Sequence, residues 1–478
     1  MEEQTQMTRR TALGAIGALT GAVAVNALSC AHGVRSTDAA RRRPNLIFVM
    51  ADDLGYGDLG VYGQERIQTP YLDRMGEEGV RFTQCYAGST VCAPSRCVLM
   101  TGLHTGRCRV RGNLRVPLEP EDLTVAEVLR AAGYRTGLVG KWGLGEPGTT
   151  GIPNRKGFDY FYGYLNQRRA HNYYPDYLWR NEERVPLRNT VREDIPEVAI
   201  EREEYSPDLI MDEALAFIER ERHQPFYLYL AVTLPHANNE RGGLGGDEHG
   251  MEIPSLDPYA DAPWPEPQRA HAAMITRLDR DMGRLFAQLE RLGLDEDTIV
   301  FFTSDNGPHR EGGADPEFFQ SSGPLRGIKR DLYEGGIRVP MIVRGPTRVP
   351  AGVVSDHVWG FQDWLPTAAQ LVGAAVPEGL DGLPMADAFL DGRDGRVPPV
   401  HEQGLYWEFH EGGFKQAMRL GDWKAVRKGV DGPVELYDLA RDLGETTDLA
   451  ATHPDAAADL GARMAAARTE SDHWPVAG

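Results

Sequence analysis

The sequence has few cysteines and no excess of positive charge. Five cysteines among 478 residues are too few for a disulfide scaffold, and a chain of this length can bury a core without disulfides. Aspartate and glutamate outnumber lysine and arginine by 70 to 51, which gives a formal net charge of -19. This balance argues against nucleic-acid binding, which needs a basic face. A site for an anionic substrate would therefore need locally clustered cations or metal ligands.

The sequence also lacks an uninterrupted apolar run of about 20 residues, the length that a membrane-spanning helix needs. Its best candidate, residues 11–28, is interrupted by glycine and threonine. Because Arg9 and Arg10 precede this run, residues 1–43 resemble a twin-arginine export signal followed by a linker. We expect export through the twin-arginine machinery to the periplasm or the cell surface. Lipidation of Cys30 and an uncleaved helical tail are alternatives.

Apolar runs alternate with helical patterns, and no repeat is evident. This alternation is typical of an α/β fold. Strands are predicted at residues 45–50, 134–139, 226–234 and 299–303, and helices at 122–132, 206–222 and 269–292. We therefore predict that residues 44–375 form a catalytic domain with a large, mostly parallel mixed sheet flanked by helices.

The composition changes in residues 376–478. Glycine and proline are frequent from residue 377 to 399, which indicates a connecting region. Short strand-like runs follow at 404–409, 416–420 and 423–427, and a helical pattern occupies 454–467. The sequence therefore predicts a smaller C-terminal α+β subdomain with a small antiparallel sheet and a helix.

Each of the four predicted strands in the first domain is followed by polar residues. These residues are Asp52 and Asp53, Lys141, His236, and Asp305 with Asn306. Polar residues at one strand end commonly just mark the start of a loop. Since ligands of open α/β sheets bind beyond the carboxyl ends of strands, four ends with complementary chemistry favour one shared site.

Cys92 lies in a segment that we expect to form a loop. A single cysteine in a loop is commonly structural, although a thiol activated by nearby cations can be a nucleophile. What distinguishes this segment is the Cys-x-Pro-Ser-Arg spacing that begins at Cys92 and ends at Arg96. This spacing resembles the signature of the formylglycine-dependent (type I) sulfatases, which belong to the alkaline phosphatase superfamily.

The resemblance covers nearly the whole chain after the export signal. Segments 45–57, 140–142, 235–236, 304–307 and 327–340 resemble further family motifs in the same order. It implies an alkaline-phosphatase-like fold and hydrolysis of sulfate monoesters. It also implies that a formylglycine-generating or equivalent sulfatase-modifying enzyme converts Cys92 to formylglycine (3-oxoalanine). The hydrate of that aldehyde would be the nucleophile.

The resemblance also assigns roles to individual residues. The implied catalytic residues are Cys92, Arg96, Lys141, His236 and Lys329, and the implied metal ligands are Asp52, Asp53, Asp305, Asn306 and the modified Cys92. Because these ligands are hard oxygen donors, without a His/Cys cluster suited to zinc, we expect one Ca²⁺ per chain, with Mg²⁺ as the alternative. His236 and Lys329 would contact the sulfate or protonate the leaving oxygen.

Two positions depart from the family pattern. The family often has a histidine two residues after the lysine, where this chain has Gly143. His104 and His171 are the candidates to replace that histidine. The family also often has arginine or lysine where this chain has Leu103, and Arg107 could restore the charge nearby.

An aromatic segment indicates the substrate class. Nine of the 22 residues from Phe158 to Trp179 are aromatic, with polar residues between them. Such surfaces suit sugar rings, so we expect a sulfated carbohydrate; a packed cap over the core is the alternative explanation. The predicted substrate contacts are His104, His171, Arg168, Trp179 and His410.

Two other functions fit the same sequence. A phosphate or phosphonate ester hydrolase would share most contacts to a tetrahedral anion. A noncatalytic glycan-binding surface protein that keeps the fold would explain the absent histidine at position 143. Intact Cys92 and Arg96, together with the four metal-ligand candidates, favour the sulfatase.

Overall fold

The computed structural model describes residues 43–245, 248–390 and 397–476. The predicted export signal, including Cys30, lies outside the described residues. Within them, no helix has the length and apolar character needed to cross a membrane. The described cysteines, Cys85, Cys92, Cys97 and Cys108, are buried and form no disulfide with one another.

The described chain contains both long, buried strands and short, peripheral ones. The strands are β1 (Asn45–Ala51), β2 (Val80–Tyr86), β3 (Arg135–Lys141), β4 (Tyr160–Tyr164), β5 (Tyr177–Arg180), β6 (Glu183–Pro186), β7 (Thr190–Val191), β8 (Ala199–Glu201), β9 (Phe226–Ala231), β10 (Thr298–Ser304), β11 (Arg338–Arg344), β12 (Val353–Ser355), β13 (Trp359–Gly360), β14 (Leu405–Phe409), β15 (Lys415–Leu420), β16 (Trp423–Lys428) and β17 (Val434–Asp438). The helices are α1 (Pro70–Glu77), α2 (Cys92–Thr101), α3 (Val125–Ala131), α4 (Ser206–Glu221), α5 (Asn239–Gly242), α6 (Glu266–Leu292), α7 (Pro316–Phe319), α8 (Glu334–Ile337), α9 (Trp364–Val372) and α10 (Pro454–Ala467).

The main sheet has the order β12-β2-β11-β10-β1-β9-β3-β4-β5-β6, with β13 also paired to β2. The neighbouring strands β10, β1, β9, β3 and β4 run parallel. The strands β11, β5 and β6 join antiparallel. The predicted mostly parallel mixed sheet is confirmed. The four strands predicted from sequence are adjacent, so their carboxyl ends lie at one edge.

Helices cover both faces of this sheet. Helices α1, α4 and α6 pack on one face, and α2, α3 and α9 pack on the other. Strands β1, β9, β10 and β11 are buried along their whole length. Their continuous apolar sequences are explained by this coverage of both faces, since apolar and polar residues would alternate along a strand with one exposed face.

The segment of Cys92 is a helix rather than the predicted loop. Cys92 is the first residue of α2, and all ten residues of this helix are buried. Pro94 fits there because the first turn of a helix leaves backbone N–H groups unpaired, so the missing N–H of proline is no loss. Another N–H group of this first turn, that of Ala93, donates to Asn113 Oδ1 at 3.1 Å. The position of Cys92 is therefore fixed, because it begins a helix that is buried along its whole length.

The C-terminal sheet braces this helix. Strands β14 to β17 form an antiparallel sheet in sequence order, and α10 packs against it. Its strand β17 has no counterpart in the sequence prediction. The indole of Trp407 in β14 donates to the carbonyl of Ala87 at 2.8 Å, and Arg111 donates to buried Glu408 at 2.9 Å. The segments on both sides of α2 are thus tied to the smaller sheet.

Candidate active site

Side chains from four strand ends meet at the carboxyl edge of the main sheet. Asp52 and Asp53 follow β1, and Lys141 is the last residue of β3. Asp305 and Asn306 follow β10, and His236 follows β9. All of these side chains are buried, with exposures of 0 to 1%. The convergence predicted from the strand ends is present in the structure.

Cys92 contacts this cluster from α2. Its thiol donates to Asp52 Oδ1 at 3.2 Å. Burial, together with the nearby carboxylates of Asp305 and Asp52, raises the pKa of the Cys92 thiol well above its usual value. The protein environment alone therefore keeps the thiol protonated. A bound cation would act in the opposite direction, since positive charge stabilises a thiolate.

Arg96 and Lys141 hold the carboxylates in place. Arg96 donates to Asp305 Oδ2 from Nε at 3.1 Å and from a terminal nitrogen at 2.7 Å. Its other terminal nitrogen donates to the carbonyl of Lys141 at 2.9 Å. Lys141 Nζ donates to Asp52 Oδ2 at 2.6 Å, and this neighbour helps to hold the pKa of Asp52 well below its usual value against the effect of burial.

Lys329 and His236 form the opposite side of the cluster. Lys329 Nζ donates to Asp53 Oδ2 at 2.8 Å and to Glu311 Oε2 at 3.1 Å, and lies 3.1 Å from His236 Nε2. His236 Nδ1 lies 2.6 Å from the carbonyl of Ala237, so Nδ1 carries the proton and Nε2 accepts from Lys329. Burial, with the positive charge of Lys329, lowers the pKa of His236 well below its usual value.

The donor atoms of this cluster fit a divalent cation. Ligand atoms of Asp52, Asp53, Cys92 and His236 lie within 4.8 Å of one another. Asn306 Nδ2 donates to Asp53 Oδ1 at 2.7 Å, while Asn306 Oδ1 is buried without a hydrogen-bond partner among the described residues. Burial and the charge of Asp52 raise the pKa of Asp305 to about 7. A cation would give the Asn306 oxygen a partner and would favour the ionised carboxylates.

Cys92 opens onto a cavity of about 230 Å³. Polar and charged side chains line most of it. They are Asn113, Arg115, Asn166, Gln167, Arg168, His171, His236, Asn239, Glu240, Lys329 and Arg330. Only the buried end of the cavity, at Cys92, His236 and Lys329, was predicted from the sequence motifs. Asn113, Gln167 and Asn239 were not singled out in the sequence, because an isolated amide residue carries no motif signal.

Two of the five predicted substrate contacts line this cavity. They are Arg168 and His171. The His171 ring stacks on the His236 ring with centroids 4.5 Å apart, and its Nδ1 lies 2.9 Å from Glu240 Oε2. His171, a candidate to replace the histidine absent at position 143, therefore orients its ring beside the predicted catalytic His236.

The other three predicted contacts do not line the cavity of Cys92. His104 lies between Asp381 and Tyr406, where it lines a separate cavity. His410 packs against Phe414 and Trp474. Trp179 packs edge-on against Tyr177. The sequence did not show that these three side chains lie away from Cys92. Their positions depend on how the C-terminal sheet and β5 fold.

Most aromatic residues of the 158–179 segment are packing residues. Phe158, Phe161, Tyr162, Tyr164, Tyr173 and Tyr174 are buried. Tyr160 to Tyr164 form β4, which extends the parallel part of the sheet, and Tyr177 begins β5. The packing explanation therefore accounts for the aromatic residues. The polar residues between β4 and β5 are the ones that reach the cavity.

Known proteins resemble this chain over most of its length. The model of the Sulfatase family matches residues 44–374. N-acetylgalactosamine-6-sulfatase of Sus scrofa is 32% identical, over 82% of this chain and 75% of that protein. N-acetylgalactosamine-6-O-sulfatase of Bacteroides thetaiotaomicron is 29% identical, over 90% of this chain and 94% of that protein.

A solved structure shares the fold. The crystal structure of Ps i-CgsB in complex with k-i-k-neocarrahexaose superposes with a TM-score of 0.73 at 28% identity, covering 89% of this chain and 92% of that chain. The similarity therefore extends over most of both chains. The fold expected from the sequence motifs is therefore confirmed.

Proposed function

The chain belongs to the sulfatase family, and we propose that it hydrolyses sulfate esters of carbohydrates with residue 92, converted to formylglycine, as the nucleophile. One observation carries the assignment of the nucleophile. Residue 92 lies at the N-terminus of a buried helix, at the closed end of a polar cavity, within 3.2 Å of Asp52. A helix N-terminus favours negative charge, which suits a sulfate ester placed over residue 92.

The proposed cation is Ca²⁺, with Mg²⁺ as the alternative. Asp52, Asp53, Asp305, Asn306 and the modified residue 92 would hold it. Their oxygens are hard ligands, and Ca²⁺ takes roughly six to eight of them, so sulfate oxygens can supply the rest. When bound, the cation would withdraw electron density from the sulfate oxygens and make the hydroxyl of residue 92 more acidic.

The first proposed step is attack on sulfur. Asp52 Oδ1, which accepts from residue 92 in the structure, orients the attacking hydroxyl of the aldehyde hydrate. That oxygen gives its proton to Asp52 Oδ1 and bonds to sulfur while the bond from sulfur to the alcohol oxygen breaks. Lys329 lies at the same end of the cavity and supplies the proton that the departing alcohol oxygen takes up, while His236 Nε2, which accepts from Lys329, holds the ammonium group in place.

The second proposed step regenerates the aldehyde. The remaining hydroxyl on residue 92 loses its proton to solvent, the carbon–oxygen bond to sulfate breaks, and a carbonyl group forms in its place. Sulfate leaves, and addition of water restores the hydrate. A serine alcohol has no second hydroxyl and could not release sulfate in this way, which is the chemical advantage of formylglycine at position 92.

A sulfated carbohydrate is the substrate class best supported. The relatives above are named for sulfated N-acetylgalactosamine, and the solved structure holds a neocarrahexaose. The cavity agrees with this class because amide and charged side chains line it. Polar groups of this kind form hydrogen bonds with sugar hydroxyls.

Paired substrates test the reaction type. We expect higher kcat/KM on 4-nitrophenyl sulfate than on 4-nitrophenyl phosphate for enzyme with fully modified residue 92. Faster phosphate hydrolysis would instead support the phosphate or phosphonate ester hydrolase. Cys92→Ala should fold normally and have no sulfatase activity, whereas Cys97→Ala, a buried cysteine five positions on, should retain the reaction. Absence of turnover of any ester by modified enzyme would favour the glycan-binding protein.

Export is a separate proposal, based on Arg9 and Arg10 before an apolar run. The expected destination is the periplasm or the cell surface, by the twin-arginine route. Replacing both arginines by lysine should retain the protein in the cytoplasm, as checked by cell fractionation. Unchanged export of that variant would contradict the proposal.

A further inference from the structure

Two residues that line the cavity of Cys92 each have a buried amide oxygen without a hydrogen-bond donor among the described residues. Gln167 Oε1 and Asn239 Oδ1 are both inaccessible to solvent, and neither has a partner among the described residues. Both residues line the cavity. A buried carbonyl oxygen without a donor is destabilising, so such groups in a binding cavity point to donors supplied by a ligand.

These two amides come from different parts of the fold. Gln167 lies between β4 and β5, and Asn239 is the first residue of α5. Gly143, after β3, makes room for Gln167: a Cβ on this glycine would lie 2.6 Å from Gln167 Oε1. The position of the Gln167 amide therefore depends on the absence of a side chain at residue 143.

The chemistry of an acceptor restricts its partner. Sulfate oxygens carry negative charge and accept hydrogen bonds, so they cannot satisfy an amide oxygen. Gln167 makes no hydrogen bond to the Cys92 thiol, whose partner is Asp52. The remaining donors are O–H and N–H groups on the rest of the substrate. A sugar ring next to its sulfate ester carries several such groups, and an aryl group carries none.

We propose that Gln167 and Asn239 are specificity-determining residues that accept hydrogen bonds from hydroxyl or amide N–H groups of the sulfate-bearing sugar. This inference rests on the proposed sulfatase function and deepens it. Under this proposal, the catalytic end of the cavity acts on aryl and sugar sulfates alike. The two amides add binding energy only for esters of sugars.

The test compares two kinds of substrate on the full-length enzyme with modified residue 92. The variants are Gln167→Met and Asn239→Leu, each close in size to the original residue but lacking the amide. Gln403→Met is the matched control, since Gln403 is exposed and lines a different cavity. The probes are 4-nitrophenyl sulfate and the 6-sulfates of galactose, N-acetylgalactosamine and glucosamine.

We expect each cavity variant to lose about three- to tenfold in kcat/KM on the best sugar sulfate, the size of one neutral hydrogen bond. Activity on 4-nitrophenyl sulfate should stay within about twofold of wild type, since the aryl group makes no such bond. A deoxy analogue of the best sugar, lacking the donor that binds Gln167, should be hydrolysed equally well by wild type and Gln167→Met.

Other outcomes overturn the inference in distinguishable ways. Equal losses on aryl and sugar sulfates would assign the two amides to folding or to the chemical step. Wild-type turnover of 4-nitrophenyl sulfate without turnover of any sugar sulfate would refute the inference and leave the sulfatase function intact. Failure of modified wild type on every sulfate ester would refute the proposed function itself.

Discussion

The side-chain oxygen of Gln167 fills the space that a side chain on Gly143 would need. A Cβ at position 143 would lie 2.6 Å from Gln167 Oε1, and Gly143 has a φ of +82°. The N–H of Gly143 donates to the carbonyl of Leu165 at 3.0 Å, which fixes the two segments together. The histidine that the family resemblance led us to expect here would therefore displace the Gln167 amide and take a left-handed backbone conformation that L side chains rarely adopt.

The first prediction concerns Gly143→His. We expect lower activity and a loss of about 1–2 kcal/mol in the free energy of unfolding, because the new side chain displaces Gln167 and adopts a left-handed backbone conformation. Urea unfolding and kcat/KM on a sugar sulfate measure the two effects. Gly148→His is the control, since Gly148 has a φ of +85° but no atom of the described residues within 4 Å of its Cβ position. This control should lose stability and keep its activity; a gain of activity in Gly143→His would contradict the account.

A second prediction concerns the cation. Removal of divalent cations by a chelator should abolish sulfatase activity and lower the Tm, and added Ca²⁺ should restore both, because a ligand that binds only the folded state stabilises it. Asn306→Ala should show a much smaller Tm increase with Ca²⁺, since it lacks the unpartnered buried oxygen.

The matched control for this experiment is Asn154→Ala. Asn154 Oδ1 is also buried without a partner in the described part of the chain, but its amide nitrogen donates to the carbonyl of Phe158 and to Asn181 Oδ1, away from the strand ends. This variant should lose some stability and respond to Ca²⁺ as wild type does. Full activity of thoroughly chelated wild type would exclude a role for the cation.

A third prediction concerns pH and a carboxyl group remote from the site. Asp279 in α6 accepts from the N–H groups of Leu72 and Tyr71, at 2.8 and 3.3 Å, and burial raises its pKa to about 7. Its usual pKa is about 3.9, so the folded state holds a proton that the unfolded state releases. This group therefore makes the protein less stable as the pH rises from about 4 to about 7.

Asp279→Asn removes this titration. The free energy of unfolding of the variant, minus that of wild type, should therefore increase by about 1–3 kcal/mol as the pH rises from 4 to 8. Urea unfolding at a series of pH values measures the difference, with the exposed Asp455→Asn as control. If the pH dependence of wild type and Asp279→Asn ran in parallel, Asp279 would not hold its proton in the folded state.

The sequence predicted the core of the site because that core follows from chain order. Asp52, Lys141 and Asp305 each lie at the end of a buried strand, and His236 follows β9 within a few residues. Parallel strands that are neighbours bring their carboxyl ends together. The apolar runs predicted those strands and the long helices to within a few residues. Short edge strands such as β12 and β13 carried too little apolar sequence to be recognised.

The walls of the cavity could not be predicted in the same way. Gln167 and Asn239 become important only when the segment after β4 and the start of α5 approach Cys92, and no local pattern encodes that approach. The same limit explains His104 and His410, whose aromatic neighbours lie within or beside the C-terminal sheet. Polar residues in loops take their roles from tertiary contacts rather than from periodicity.

The central claim is that residue 92 acts as formylglycine, and mass analysis of the peptide carrying this residue tests it most directly. Enzyme produced in a host that modifies the Cys-x-Pro-Ser-Arg motif should yield this peptide with an aldehyde, or its hydrate, in place of the thiol. Across preparations, kcat per mole of protein should rise in proportion to the aldehyde fraction. A peptide that carries only free thiol, from enzyme that hydrolyses sulfate esters at full rate, would contradict the account.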